Sequence, residues 1–272
     1  MDLSDLPKLK SGELFEKLLH VMDELRGPQG CPWDKEQTPA SLVPCLLEEA
    51  YEVIGAIDSG DAAHLKEELG DLLLQVVFHS RIGKEEKTFT IDEVIRHLVE
   101  KLVRRHPHVF AEGQVTEADE ALRQWERIKA KEKKPGESLL GGVPDSLPAL
   151  ARAYRLGAKA SRVGFDWPDI EGVLRKTEEE LQELREEISR RDLKRIEEEF
   201  GDLLFSLAQA ARFLEIHPEE ALRKSAQKFQ RRFEHMEKKI SAQGKILPDC
   251  KAEELDRLWQ EAKSFTDSVK NL

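Results

Sequence analysis

Apolar residues recur every three or four positions along almost the whole chain, whereas the alternation typical of β-strands is nearly absent. This spacing places apolar side chains on one face of a helix. In residues 11–26 that face consists of Phe15, Leu18, Leu19, Met22 and Leu25. The same pattern predicts further helices over residues 40–58, 62–82, about 90–105, 117–133, 148–162, 170–190, 192–214, 219–241 and 251–267. The predicted fold class is therefore all-α.

Capping signals support several of these helix boundaries. Asp61 suits the N-cap of the helix over residues 62–82, and Thr90 or Asp92 can open the next one. Pro107 is expected to end that helix, because proline lacks the amide N–H and clashes with the preceding turn. Pro218 suits the first turn of the helix that starts near residue 219.

Two acidic patterns occur twice in the chain, in the same order and with the same spacing. The first copy consists of Glu49, Glu52, Glu68 and Asp71. The second copy, 131 positions later (180 − 49 = 131), consists of Glu180, Glu183, Glu199 and Asp202. Asp and Glu make up 54 of 272 residues, so a single pair would mean little. Two pairs at fixed spacing indicate a duplicated unit built around a divalent-metal site, and the alternative is a duplicated hairpin with a merely solvated acidic face.

A segment rich in glycine and proline lies between the two copies and marks the domain boundary. It contains the dipeptides Pro-Gly, Gly-Gly and Val-Pro within residues 133–148. We predict an N-terminal repeat over residues 1–134, a linker over residues 135–147 and a C-terminal repeat over residues 148–272. Each repeat then holds four or five helices joined by short loops, which is the plan of a helical bundle.

The spacing of the acids predicts their chemistry. Glu49 and Glu52 share one helix face, as do Glu68 and Asp71 on the following helix. Two antiparallel helices can bring such pairs to one point, where like charges repel one another. A hard cation with oxygen ligands relieves this repulsion. We therefore predict Mg²⁺ as the cofactor, with Mn²⁺ as a substitute, because Mg²⁺ prefers oxygen ligands and keeps several waters.

A glycine stands inside each acidic helix, between the two acids of the second pattern. Gly70 and Gly201 are these residues, and each costs about 1 kcal/mol relative to alanine. Close approach of substrate or of a neighbouring helix would explain this cost. A simple helix–helix contact is the alternative.

Basic residues and tryptophans are repeated downstream of the acids. The first set, Lys101, Arg105, Trp125 and Lys129, returns as Lys228, Arg232, Trp259 and Lys263. A tryptophan can stack on a base, and a lysine one helical turn later can reach a phosphate. The alternatives are core packing for the tryptophans and a solvated helix face for the basic residues.

Amino-acid composition limits the classes of binding partner and the cellular compartment that we expect. A formal net charge of −11 argues against nucleic acid as a partner. No apolar run approaches the roughly 20 residues of a membrane span, so a membrane partner is not expected. Three scattered cysteines favour a reducing cytoplasm over a disulfide framework. The glycine-rich P-loop motif is absent, which excludes nucleotide binding of that kind.

With these motifs the chain resembles the MazG family of nucleoside triphosphate pyrophosphohydrolases. The resemblance covers nearly the whole chain, including the tandem duplication. The matching segments are GCPWD (30–34), LEEAYE (47–52), EELGDLLLQVV (67–77), RRHPHVF (104–110), WERIK (125–129), RVGFDW (162–167) and the second acid set. The two repeats differ where Cys31-Pro32-Trp33-Asp34 faces Val163-Gly164-Phe165-Asp166 and where Gln75 faces Ser206.

The resemblance implies two tandem all-α bundles and a homodimer. It implies hydrolysis of nucleoside triphosphates to monophosphate and pyrophosphate, with Mg²⁺, as a way of removing aberrant or surplus nucleotides. It also implies that the C-terminal repeat is the main catalytic one. Carried over by position, the Mg²⁺ ligands are Glu180, Glu183, Glu199 and Asp202, and the nucleotide contacts are Lys228, Arg232, Trp259 and Lys263. The N-terminal repeat keeps the matching residues of both sets.

On this interpretation, a water made acidic by Mg²⁺ attacks the α-phosphorus, and pyrophosphate leaves beside Lys228 and Arg232. Glu48 and its counterpart Glu179 are candidates for the general base, with a solvent-facing role as the alternative. Stacking tolerates every base, so broad base specificity is expected. The alternative function is a nucleotide-sensing or scaffold protein that binds without cleaving.

Overall fold

The computed structural model describes residues 5–111 and 138–269, together with residues 117, 120, 121, 124, 125, 128, 129 and 132 between them. These residues contain 11 α-helices and no β-strand, which confirms the predicted all-α class. None of the described helices combines the length and the hydropathy that a membrane crossing needs. The chain divides into two units, Met1–Lys133 and Lys134–Leu272.

The first unit is built around a long helical hairpin. Its helices are α1 (Ser11–Leu25), α2 (Pro32–Glu36), α3 (Val43–Ser59), α4 (Ala62–Glu85), α5 (Ile91–Arg105) and α6 (Pro107–Phe110), preceded by a 3₁₀ turn at Leu6–Lys8. Helices α3 and α4 form the hairpin, and α4 also packs against α1 and α5. The residues of α4 that face α1 supply most of the core.

The second unit repeats this hairpin. Its helices are α7 (Ala149–Ser161), α8 (Ile170–Arg190), α9 (Leu193–Phe213), α10 (Pro218–Ser241) and α11 (Ala252–Val269), with a 3₁₀ turn at Leu247–Asp249. Helices α8 and α9 form the hairpin, α9 packs on α7, and α10 packs on α11.

Most predicted helices are present, with small shifts at their ends. Asp61 and Thr90 are N-caps as predicted, and Pro218 lies in the first turn of α10. Helix α5 does end before Pro107, but this proline also begins the short helix α6, because its fixed φ suits a first helical turn. Helix α2 was missed, since five residues are too few to show a period. The predicted helix over residues 117–133 lies mostly outside the described residues, although Trp125 and its described neighbours are helical.

A two-residue turn of the same kind closes both hairpins. In the first, Gly60 adopts a left-handed conformation (φ 70°) and the Asp61 side chain accepts hydrogen bonds from the amides of Ala63 and His64. In the second, Arg191 adopts the left-handed conformation (φ 59°) and Asp192 is the N-cap. Glycine tolerates this conformation at no steric cost, whereas arginine does not. The turn sets the register between the two helices of each hairpin.

Each unit has its own apolar core. In the first unit, the buried cluster consists of Met22, Leu42, Val77, Phe78 and Ile82, and it joins α1 to α4. In the second unit, the buried cluster consists of Met236, Ile240, Leu258 and Ala262, and it joins α10 to α11. The first core includes residues of α4 itself, the second lies between α10 and α11, and neither cluster contains an acidic residue.

Helices α7 and α9 approach closely at Gly157. A Cβ atom there would lie 1.7 Å from Gln209 Oε1. The Gln209 side chain is fully buried; its Nε2 donates to the carbonyl of Ala153 (2.9 Å), and its Oε1 accepts from Arg212 Nε (3.0 Å). Because both ends of the amide are engaged, the side chain has little room to yield.

We predict that Gly157→Ala destabilises the second unit by about 1–3 kcal/mol, the usual cost of overpacking a filled core. The matched control is Gly55→Ala, because nothing lies within 4 Å of that position in α3 and alanine gains about 1 kcal/mol there in helix propensity. Chemical unfolding of the full chain, followed by circular dichroism, measures both. Equal stability of the two variants would contradict the predicted contact.

Candidate functional site

Three carboxylates converge in the hairpin of each unit. In the first, Glu49 on α3 meets Glu68 and Asp71 on α4, with one oxygen of each within 4.8 Å of the others. In the second, the same distance joins Glu180 on α8 to Glu199 and Asp202 on α9. We call these groups the first and second acidic clusters. The two-residue turns place the repeated acids of neighbouring helices level with one another.

The fourth acid of each predicted set lies outside this group. Glu52 and Glu183 are exposed, and their carboxylates do not belong to the groups that meet within 4.8 Å. Both lie one turn beyond a cluster member on the same helix face, and Glu183 still feels the charge of Glu180. The structure therefore brings together three of the four predicted acids, and a ligand role for the fourth stays a prediction.

Burial and neighbouring negative charge disfavour ionisation of one carboxylate in the first cluster and of one beside the second. Partial desolvation raises the pKa of Glu49, and the charges of Asp71, Glu52 and Glu68 raise it further. In the second unit, desolvation raises the pKa of Glu183, and the charge of Glu180 adds to it. A raised carboxylate pKa means that the ionised form is disfavoured until a cation arrives.

The charged neighbours of the two clusters differ. In the second unit, Lys176 Nζ lies 2.7 Å from Glu179 and 2.8 Å from Glu180. Hydrogen bonds to these two carboxylates raise the pKa of Lys176, so it stays charged. In the first unit, His64 Nε2 lies 2.9 Å from Glu68. Glu179, a candidate general base, is thus held by Lys176.

The donor set of each cluster fits a hard divalent cation. All three donors are carboxylate oxygens, which Mg²⁺ and Mn²⁺ favour and soft metals do not. Glu68 and Glu180 are buried, whereas their partners remain accessible, so a cation can keep water or phosphate oxygens on its open side. The site therefore matches the predicted cofactor in chemistry, and the metal's identity stays a prediction.

The repeated glycines of the acidic helices are open. No atom lies within 4 Å of a Cβ placed at Gly70 or Gly201. An ordinary helix–helix contact within the described chain therefore does not explain them. Close approach of a substrate to these glycines stays a prediction.

A cation stacks on the predicted tryptophan in both units. In the first, the Arg105 guanidinium lies 5.4 Å and Lys129 Nζ 4.9 Å from the Trp125 ring centre. Glu132 also binds Arg105 (2.5 Å), and hydrogen bonds from Arg105 and Arg104 lower the pKa of Glu132 to about 2. In the first unit, Glu132 thus partly neutralises the positive charge of Arg105.

In the second unit, the Arg232 guanidinium lies 5.8 Å from the Trp259 ring centre. Phe229 packs against the same ring at 5.2 Å, so Trp259 belongs partly to the core between α10 and α11. Lys228 and Lys263 are half-buried, and Lys263 Nζ donates to Gln260 Oε1 (3.3 Å). Lys101 is likewise half-buried in the first unit. A role of these residues in nucleotide contact stays a prediction.

Comparison with protein families decides the assignment. The profile of the MazG nucleotide pyrophosphohydrolase domain matches the chain twice, over residues 37–110 and 169–237. The chain belongs to the MazG family. Each match contains one hairpin with its acidic cluster, so the predicted resemblance is confirmed and the chain is a nucleotide pyrophosphohydrolase.

Full-length relatives support the same family. The chain is 51% identical to the nucleoside triphosphate pyrophosphohydrolase/pyrophosphatase MazG of Thermotoga maritima, over 93% of this chain and 97% of that protein. It is 42% identical to the nucleoside triphosphate pyrophosphohydrolase of Escherichia coli, over 92% of this chain and 97% of that protein.

A crystal structure of a mazG-related protein from Thermotoga maritima aligns with 42% of this chain and 98% of its own chain, at 29% identity and a TM-score of 0.37.

The structure points to two residues on the acidic helices of this MazG chain that sequence reasoning missed or left unused. Lys176 lies one turn before Glu180, and its i, i+4 spacing was a signal that could have identified it. Gln75, one turn after Asp71, is 5% exposed, and its Oε1 has no hydrogen-bond partner among the described residues. Its burial could not be read from the sequence.

We predict that Glu49→Gln stabilises the metal-free chain. The pKa of Glu49 is raised in the fold, so wild-type stability gains as the pH falls through that pKa and is reduced above it. The amide removes the repulsion and this pH dependence together. Thermal unfolding in chelator between pH 5 and 8 measures both, with Glu100→Gln on exposed α5 as the control. A lower unfolding temperature for Glu49→Gln would contradict the repulsion.

Proposed function

We propose that the chain hydrolyses nucleoside triphosphates to nucleoside monophosphate and pyrophosphate in a reaction that requires Mg²⁺. The observation that carries the proposal is the convergence of three carboxylates in each of two MazG hairpins. Relatives that align over nearly their whole length are named for this activity. Removal of aberrant or surplus nucleotides is the biological role that we propose.

The chain's own residues have separate tasks in this reaction. Glu180, Glu199 and Asp202 would hold the cation, with Glu183 one turn away as the fourth ligand. A divalent cation bound there neutralises triphosphate charge and makes a water more acidic, so that attack at the α-phosphorus becomes feasible. Lys228 and Arg232 compensate the charge of the leaving pyrophosphate, and Trp259 stacks on the base.

We expect activity to require Mg²⁺ or Mn²⁺ and to yield pyrophosphate and monophosphate. Carboxylate-only clusters favour these hard cations, and hydrolysis at the α-phosphorus gives these products. Incubation of the full chain with a panel of triphosphates, with and without chelator, measures both points by separation of the nucleotide products. Orthophosphate with diphosphate, or full activity in excess chelator, would contradict the proposal. Absence of any product with retained nucleotide binding would favour the sensing or scaffold function.

We expect the second unit to carry most of the turnover. Glu183→Gln or Asp202→Asn should reduce the rate by roughly 10²-fold or more, the usual effect of losing one charge-stabilising group. Glu52→Gln and Asp71→Asn, the matched variants of the first unit, should have smaller effects, because Arg105 there is already bound by Glu132. Steady-state rates with a single triphosphate measure the difference. Equal losses from both pairs would show that both units turn over.

We propose broad base specificity. The base contact offered by the second unit is the ring of Trp259, and stacking accepts every base because each has a π-face. Strong discrimination would need buried polar groups matched to one base edge. A half-buried ring that also packs on Phe229 offers a surface instead of such a pocket.

We propose that the chain forms a homodimer through its acidic helices. Three large apolar residues on α4, at 69, 73 and 76, are at least 41% exposed, and their counterparts on α9 are at least 40% exposed. They lie at i, i+4 and i+7 and so form one continuous face. Contiguous apolar surface of this kind marks an interaction site, and the open Gly70 and Gly201 lie beside it. Sedimentation of the full chain tests the dimer.

We propose the domain limits 1–134 and 148–272, with residues 135–147 as linker, and a cytoplasmic location. Each proposed domain contains one acidic cluster and one tryptophan–cation pair, which supports the limits. The three cysteines are free thiols, as is usual in a reducing compartment.

A further inference from the structure

We infer that the two acidic clusters are unequal metal sites, and that in the absence of nucleotide the first binds a divalent cation more tightly than the second. This inference rests on the proposed metal site. It follows from three pairs of residues that occupy equivalent positions, 131 apart, beside the two clusters: Cys45 and Lys176, His64 and Arg195, and Gln75 and Ser206.

The first pair, Cys45 and Lys176, differs in charge. Each residue lies on the helix that carries the first acid of its cluster. Lys176 lies one turn before Glu180 and binds it at 2.8 Å, so the second cluster already holds an ammonium group. Cys45 occupies the equivalent position before Glu49, and a thiol supplies no such charge. A metal ion entering the second cluster must compete with Lys176 for Glu180, whereas Glu49 meets no corresponding lysine.

The second pair, His64 and Arg195, lies on the second helix of each hairpin and differs in side-chain chemistry. Arg195 donates a hydrogen bond to Glu198 at 2.8 Å, and the negative charge of Glu199 also acts on it. His64 stands at the equivalent position and contacts Glu68. Arginine is always charged. The second cluster is therefore flanked by a lysine and an arginine, whereas a cysteine and a histidine stand at the equivalent positions beside the first.

The third pair, Gln75 and Ser206, differs in the hydrogen bonds that its side-chain oxygen makes among the described residues. Gln75 lies one turn after Asp71 on the same face of α4, and side chains on a helix lean toward its N-terminus, here toward Asp71. Its buried Oε1 lacks a partner among the described residues. The Ser206 hydroxyl at the equivalent position donates to the carbonyl of Leu203 at 2.9 Å. Gln75 would therefore be a candidate acceptor for a water that a cation bound in the first cluster retains.

These three differences act in the same direction. Fewer fixed cations make the first cluster more attractive to a divalent ion, and an outer acceptor for a coordinated water commonly adds about 10–100-fold in affinity. The second cluster, in contrast, already holds the Lys176 ammonium group on Glu180. The second cluster then reaches its full metal affinity only when the triphosphate supplies further negative charge. The first unit binds its ion in the absence of substrate, whereas the second binds its ion together with substrate.

The inference is tested by titrating the full, metal-stripped chain with Mn²⁺ alone at pH 7.5 and measuring free Mn²⁺ by electron paramagnetic resonance. We expect two classes of site that differ by about tenfold or more, since a neighbouring charge changes ion affinity on that scale. Asp71→Asn should remove the tighter class, and Asp202→Asn the weaker one.

Reciprocal substitutions separate the charge effect from damage to the fold. Lys176→Cys should tighten the second site by about tenfold, a gain that misfolding cannot produce. Cys45→Lys should weaken the first site by a similar factor. Gln75→Ser, which introduces the residue of the other repeat, should weaken the first site by about 10–100-fold. Thermal unfolding in chelator provides the fold control for each variant.

The results separate the inferred inequality of the two sites from the proposed metal site itself. Equal affinities in the wild-type chain, loss of the tighter class in Asp202→Asn, or no gain in Lys176→Cys would overturn the inequality while leaving the proposed metal site intact. No Mn²⁺ binding at either site would overturn both the inequality and the proposed metal site. Pyrophosphate release in the same preparation tests the proposed reaction separately from these measurements.

Discussion

The structure depends on the register that a two-residue turn imposes on each acidic hairpin. A left-handed residue followed by an aspartate N-cap joins α3 to α4 and α8 to α9, and this turn sets acids of adjacent helices at the same level. A shift of one residue would rotate each acid by about 100° around its helix and separate the carboxylates. Cluster geometry, metal chemistry and the open side of the site all follow from that register.

The converging carboxylates lower stability in the absence of a cation, because like charges in a partly desolvated place repel one another. The cores offset this cost away from the site, between α1 and α4 in the first unit and between α10 and α11 in the second. The hairpins themselves leave apolar faces exposed on both units. The chain therefore combines apolar packing in its flanking helices with hairpins whose acidic clusters can take a metal ion and whose apolar faces are open to solvent.

The sequence was sufficient to predict the helices, the hairpins and the identity of three acids in each cluster, because period and repeat spacing are one-dimensional signals. It was insufficient for Glu52 and Glu183, which share a helix face with the clusters but lie one turn away from their centre. It also missed α2, which is too short to show a period, and the burial of Gln75, which depends on neighbouring helices. Contacts set by packing angles cannot be read from residue spacing alone.

Duplication preserved the acids but not their surroundings, and this difference separates the two units physically. The first unit has Cys45 and His64 at the positions that Lys176 and Arg195 occupy in the second, and its stacking arginine is already bound by Glu132. The second has Lys176 on its carboxylates, while Arg232 lies over Trp259. In our proposal, the cluster that already holds a lysine responds most when an anionic substrate arrives, because the substrate and the metal ion then bind cooperatively through their opposite charges. A cluster without that lysine responds mainly to the ion. In our proposal, the repeated acids thus serve catalysis in one unit and hold a metal ion in the other.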